Sequence, residues 1–90
     1  MDDFDKYLRK QLEDPEFRRE WEDHESEYQL MITLMKERSA QNLSQNELAE
    51  RAGIGYENIV GIENGQSSPT VATLSKLARG LGKHLVIRFV

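Results

Sequence analysis

Apolar residues return along this chain at helical spacing, in successive blocks parted by short polar breaks. Phe4, Tyr7, Leu8 and Leu12 keep the i, i+3, i+4, i+8 rhythm of a short amphipathic helix. Asp14-Pro15 then predicts a helix start, with Asp as N-cap and Pro at the first helical position, where no N–H is needed. Phe17 and Trp21 lie four apart on that second helix, two rings amid charges. Ser26 and Gln29 form an S-x-x-Q box before a third helix, predicted over about Glu27 to Gln41. Tyr28, Met31, Ile32 and Met35 share one of its faces, and Leu30 and Leu34 widen it, so it expects burial on more than one side. Later blocks carry Leu48, Ala49 and Ala52; Ile59 and Ile62; and Val71, Leu74, Leu77, Ala78 and Leu81. After Gly80 and Gly82 the period changes. HLVIRFV, residues 84–90, is β-branched and aromatic and predicts one strand. A lone strand leaves its backbone groups unpaired. Pairing with the same strand of a second subunit would give a homodimer, and pairing with another protein's sheet edge would be β-augmentation.

The clearest local signals lie between Ser44 and Gly65. Ser44 and Glu47 form an S-x-x-E capping box, Gly53 ends the helix with the left-handed conformation that a tight turn needs, and Ile54 is placed to plug the corner. A second helix begins near Gly55 and stops at Asn64-Gly65. Two short helices with small residues at their crossing make a helix-turn-helix pattern, though an αα-hairpin of any small helical domain has the same periodicity. Beyond Gly65, a polar loop leads to Thr70 as the N-cap of the last helix.

SQNELAERAGI, IVGIENG and SSPTVATLSKLARGLG, within about Ile32 to Gly82, resemble the phage-repressor-type (Xre/Cro) helix-turn-helix family. The resemblance implies that the second helix of the pair enters the major groove of a palindromic operator. It puts Tyr56, Glu57, Asn58 and Gly61 at the base-facing positions, and Gln45 and Asn64 where the family contacts phosphate. It also implies a structural ion pair, Arg38 on the first core helix with Glu63. The chain departs from the family pattern where Gly55, Tyr56 and Gly61 replace the usual Ser, Gln and polar or basic residue, and this helix has no Lys or Arg. Glu57 accepts from cytosine N4, Asn58 suits an adenine edge, and Tyr56 suits a phosphate or a thymine methyl. Tyr56 can equally be a partly buried spacer ring.

Net charge qualifies this picture. It is −4 overall, unusual for a protein that meets DNA. Residues 1–35 hold eleven acids against five bases, and residues 36–90 seven bases against five acids. An acidic half suits a basic partner, and a mildly basic half suits phosphate. The N-terminal helices have two readings: they fold back on the core, or they pack on a partner through large aromatic anchors. The chain has no cysteine, and His24 and His84 are isolated, so no metal or other cofactor is expected. No nucleophile–base set or phosphate-cradling loop appears, so an enzyme is not expected. No apolar run is long enough to span a membrane and no signal peptide opens the chain, so the expected setting is the cytoplasm.

The acidic extension, the E-x-E-Y before the first core helix, the repressor-like core and the terminal L-G-K-x-L-x-I together resemble the HigA-type antitoxins. That resemblance implies a basic RelE-like (HigB-type) toxin as partner and repression of the chain's own operon. The toxin-binding candidates are Phe4, Tyr7, Leu8, Phe17, Trp21 and Tyr28. The expected architecture is all-α: an acidic helical extension over 1–25, a five-helix repressor-like core over 26–83, and a C-terminal strand over 84–90 that joins two subunits. A stand-alone repressor and a non-DNA-binding adaptor on the same fold are the alternatives.

Overall fold

A computed structural model describes residues 3–90, and of Phe4 only the backbone. The chain forms six helices: α1 (Asp3–Gln11), α2 (Pro15–Asp23), α3 (Glu25–Ala40), α4 (Gln45–Ala52), α5 (Tyr56–Glu63) and α6 (Val71–Gly80). None of them is long and apolar enough to cross a membrane. Leu34 of α3, Leu43, Leu48, Ala49 and Ala52 of α4, Ile59 and Ile62 of α5, and Leu77 and Leu81 at α6 make one core. Leu30, Ile54 and Leu74 close its edges.

Local chemistry sets most helix boundaries. The Asp14 side chain accepts the N–H of Glu16, with Pro15 first in α2. Ser44 Oγ accepts the Glu47 N–H at 3.1 Å, and Glu47 returns a carboxylate oxygen to the Ser44 N–H at 3.0 Å. These bonds, the backbone one first, hold the Glu47 carboxyl below the usual carboxylate range. Because the folded value is the lower one, the box stabilises the fold above the ordinary range and its contribution is lost as acid protonates Glu47. Ser44→Ala should cost about 1 kcal/mol at neutral pH and flatten the acid limb of a stability-versus-pH curve, which urea titration at several pH values will read. Gly53 turns the chain at φ 70° and Thr70 caps α6 through the Thr73 N–H.

The expected strand does not form. Residues 84–90 take up no regular structure, and Val86, Ile87, Phe89 and Val90 are exposed. A ladder needs a neighbouring strand for its N–H and C=O groups, and none exists among the described residues. The strand expected to join two subunits is therefore not formed within the single chain. Residues 26–83 also hold four helices, α3 to α6, and not five. The Ser26–Gln29 box is absent too. α3 begins two residues earlier, His24 both ends α2 and starts α3, and Gln29 bonds to Glu25 instead. Val71, expected on the core face of α6, is exposed.

Gly80 is buried where α6 meets α4, and a Cβ there would stand 3.0–3.1 Å from the backbone N and Cα of Ala52. Alanine favours helix over glycine by about 1 kcal/mol, whereas overpacking costs roughly 1–3 kcal/mol. Gly80→Ala should therefore destabilise, lowering the urea midpoint at unchanged m value.

The N-terminal helices fold back on α3. Asp5 of α1 accepts from Lys36 Nζ at 2.7 Å. Phe17 and Trp21 stack at 6.4 Å between centroids, and Trp21 stacks on Tyr28 at 5.2 Å. This ring file explains why α3 is apolar on more than its core face.

Candidate nucleic-acid interface

α4 and α5 present a continuous edge built on the buried ion pair beneath it. Arg38 grips Glu63 in bidentate fashion, Nε to Oε2 and Nη2 to Oε1, both at 2.9 Å. A third bond runs from Arg38 Nη1 to the Leu43 carbonyl, which ties the α3–α4 link to the end of α5. Glu63 is buried, with its side chain 6% exposed. Hydrogen bonding to Glu63, partly opposed by burial and aided by the Glu63 charge, holds the Arg38 guanidinium above the ordinary arginine range. A raised folded value means that Arg38 keeps its charge at neutral pH and well above it.

Gln45, the first residue of α4, reaches toward this pair. Its Nε2 donates to Glu63 Oε1 at 3.2 Å, and its Oε1 accepts from the Tyr56 hydroxyl at a long 3.4 Å. Tyr56 opens α5 and is exposed. Asn58 is exposed on the same first turn, and its side chain makes no hydrogen bond among the described residues. Glu57 is exposed but folds back: a Cβ on Gly55 would overlap its carboxylate. Gly55 thus leaves room for an acidic side chain over the start of α5.

Two of the expected contact positions also make bonds or contacts within the chain. Gly61 is half-buried beneath the α5–α6 loop, where a Cβ would lie 2.9 Å from Ser67 Oγ, and its carbonyl accepts the N–H groups of Gln66 and Ser67. It offers no side chain to a base. Asn64 Oδ1 accepts the Gln66 N–H at 3.0 Å, closing the turn after α5. Gln45 and Tyr56 meet at this edge, and Glu57 and Asn58 are exposed on the same first turn of α5, which carries no cation.

The other candidate surface is the N-terminal face. Tyr7 is exposed; Leu8, Phe17, Trp21 and Tyr28 are half-buried and lie outside the core. The Phe4 side chain lies outside the described residues. Sequence reasoning missed His24, whose Nδ1 meets Glu27 Oε2 at 2.9 Å and whose ring stands edge-on to Tyr28. A polar residue three before a Glu was the available signal, but His is a rare cap.

Comparison with known proteins agrees with this geometry. The helix-turn-helix family pattern matches residues 34–87. An uncharacterized HTH-type transcriptional regulator of Methanothermobacter thermautotrophicus is 41% identical over 54 residues, covering 59% of this chain and 78% of that protein. Antitoxin HigA1 of Mycobacterium tuberculosis is 36% identical over 72 residues, covering 80% of this chain and 48% of that protein, in two strains alike. This chain therefore spans about half the length of those antitoxins. No solved structure matches it significantly. The capped α4, the Gly53 turn, the ion-paired α5 and these matches together make the chain a member of the helix-turn-helix family of transcriptional regulators.

Proposed function

We propose that the chain is a cytoplasmic, non-enzymatic antitoxin that represses its own operon through α4–α5 and neutralises a basic RelE-like toxin through its acidic N-terminal face. One observation carries the toxin half. The likeness to the HigA1 antitoxins spans 72 residues, more than lie between residue 34 and the end, so it must reach into the helices before the helix-turn-helix. Those helices hold the acidic excess and the half-buried rings. Such a surface complements the positive face that a ribonuclease turns to RNA. Occupation of a palindrome by two copies would compensate for the scarcity of cations on α5.

Anisotropy titration of the duplex upstream of the coding sequence tests this, alone and with the product of the adjacent gene. The reading expects preference over random duplex, tighter with that product present, and a shallow salt slope because few cations meet phosphate. Binding no stronger than to random duplex would remove the repressor half. Failure to bind the adjacent product would leave a stand-alone regulator, the reading favoured by the likeness to the Methanothermobacter protein.

A further inference from the structure

The bonds beneath α5 run in one direction, and that direction reaches the DNA edge. Arg38 only donates, so it fills Glu63 from the interior side. Glu63, as a carboxylate, only accepts. A Gln45 amide beside it must therefore turn its NH2 inward, as it does at 3.2 Å; the flipped amide would set oxygen against oxygen. Gln45 Oε1 is then left facing Tyr56. That oxygen has no proton to give, so the phenol spends its own on it. What Tyr56 shows to solvent is an oxygen that accepts.

From this we infer that Tyr56 is a specificity-determining residue whose hydroxyl takes a hydrogen bond from an exocyclic amino group, adenine N6 or cytosine N4, on the strand it faces. The inference rests on the reading of α5 as the helix that meets DNA. Guanine O6 and thymine O4 are acceptors in the major groove and meet this oxygen lone pair to lone pair. Gln45 acts here as a positioning residue. It fixes the polarity of the tyrosine, and the second N–H of its amide stays available to a phosphate. The buried pair thus has a consequence beyond stability: a charge in the interior selects which hydrogen-bond partner the surface can read. Glu57, also acceptor-only, would reinforce the same preference once its carboxylate swings off Gly55.

Selection from a randomised duplex pool by the full chain, with Tyr56→Phe and Gln45→Ala alongside, tests the inference. Tyr56 is exposed, so Tyr56→Phe keeps the fold, and circular dichroism with thermal melting checks Gln45→Ala. The wild-type motif should contain one position where A and C on the same strand are both preferred over G and T there, by roughly two- to tenfold, the range of a single hydrogen bond. Tyr56→Phe should lose that preference and leave the other positions intact. Gln45→Ala frees the phenol proton, so G and T should be admitted at that position, besides any uniform loss of affinity. A merely structural role would weaken every sequence alike and change no position. An unchanged motif in Tyr56→Phe, or an altered position where A and C are not the favoured pair on either strand, overturns the inference. A wild-type selection that enriches nothing overturns the DNA reading itself, a different and recognisable result.

Discussion

Arg38→Met should lower unfolding free energy by about 3 kcal/mol, toward the lower end of the cost of breaking a buried pair. The lower end applies because the Arg38 side chain is 20% exposed while Glu63 is nearly enclosed. The substitution keeps the aliphatic stem but removes three bonds at once, two to Glu63 and one to the Leu43 carbonyl. Glu63 is left charged, with Gln45 as its one remaining side-chain donor among the described residues. In a domain of this size each kcal/mol moves the melting temperature by about 4–8 °C, so the midpoint should fall by more than about 10 °C. The double variant Arg38→Met/Glu63→Leu separates pairing from packing. If desolvation of the stranded carboxylate dominates, the double variant should recover most of the loss. A single-variant loss below about 1 kcal/mol would show that water reaches Glu63 freely.

The second large effect belongs to Ile59. It is fully buried on α5, among the residues that press this helix into the core. Ile59→Ala should cost about 3 kcal/mol, within the range for removing a buried branched chain and leaving a cavity. Its neighbour Val60 is half-buried, and Val60→Ala should cost clearly less. Urea denaturation of the two variants makes the comparison. Equal losses would mean that α5 is not seated through Ile59. A seated α5 also matters to the candidate DNA edge, since Tyr56 and Asn58 are exposed on the first turn of the same helix.

What the sequence made legible was local. The Ser44–Glu47 box, the Asp14-Pro15 start, the Thr70 cap and the Gly53 turn each depend on residues within a few positions, and each is present. The core faces of α4 and α5 follow from periodicity for the same reason. The errors arose where the outcome depends on distant partners. HLVIRFV has the composition of a strand, but composition supplies no neighbouring strand, and the segment stays irregular. Ser26 has a cap's chemistry, yet α2 ends so close that His24 serves both helices and Ser26 falls inside α3. Gly61 stands at a base-facing position by analogy, and the path of the loop brings Ser67 beside it, a contact that spacing does not show. The Gln45–Tyr56 link spans eleven residues and depends on an amide's orientation, which no spacing rule encodes. Gly80 read as a helix stop, and the approach of Ala52 shows that it is also a contact.

The N-terminal face sits between the two readings open at the outset. The rings of Phe17, Trp21 and Tyr28 shield one another against α3, yet none enters the core, and Tyr7 stays exposed. A face held in place but only half-covered would meet a partner at a lower entropic cost than a disordered one.

The central claim is that the two surfaces work separately, and one comparison tests it most directly: the affinity of Trp21→Ala for the product of the adjacent gene, beside its affinity for upstream DNA. The account predicts a loss of at least about tenfold for the protein partner, as expected of a buried aromatic anchor, with DNA binding unchanged. Undiminished affinity for that partner would contradict it.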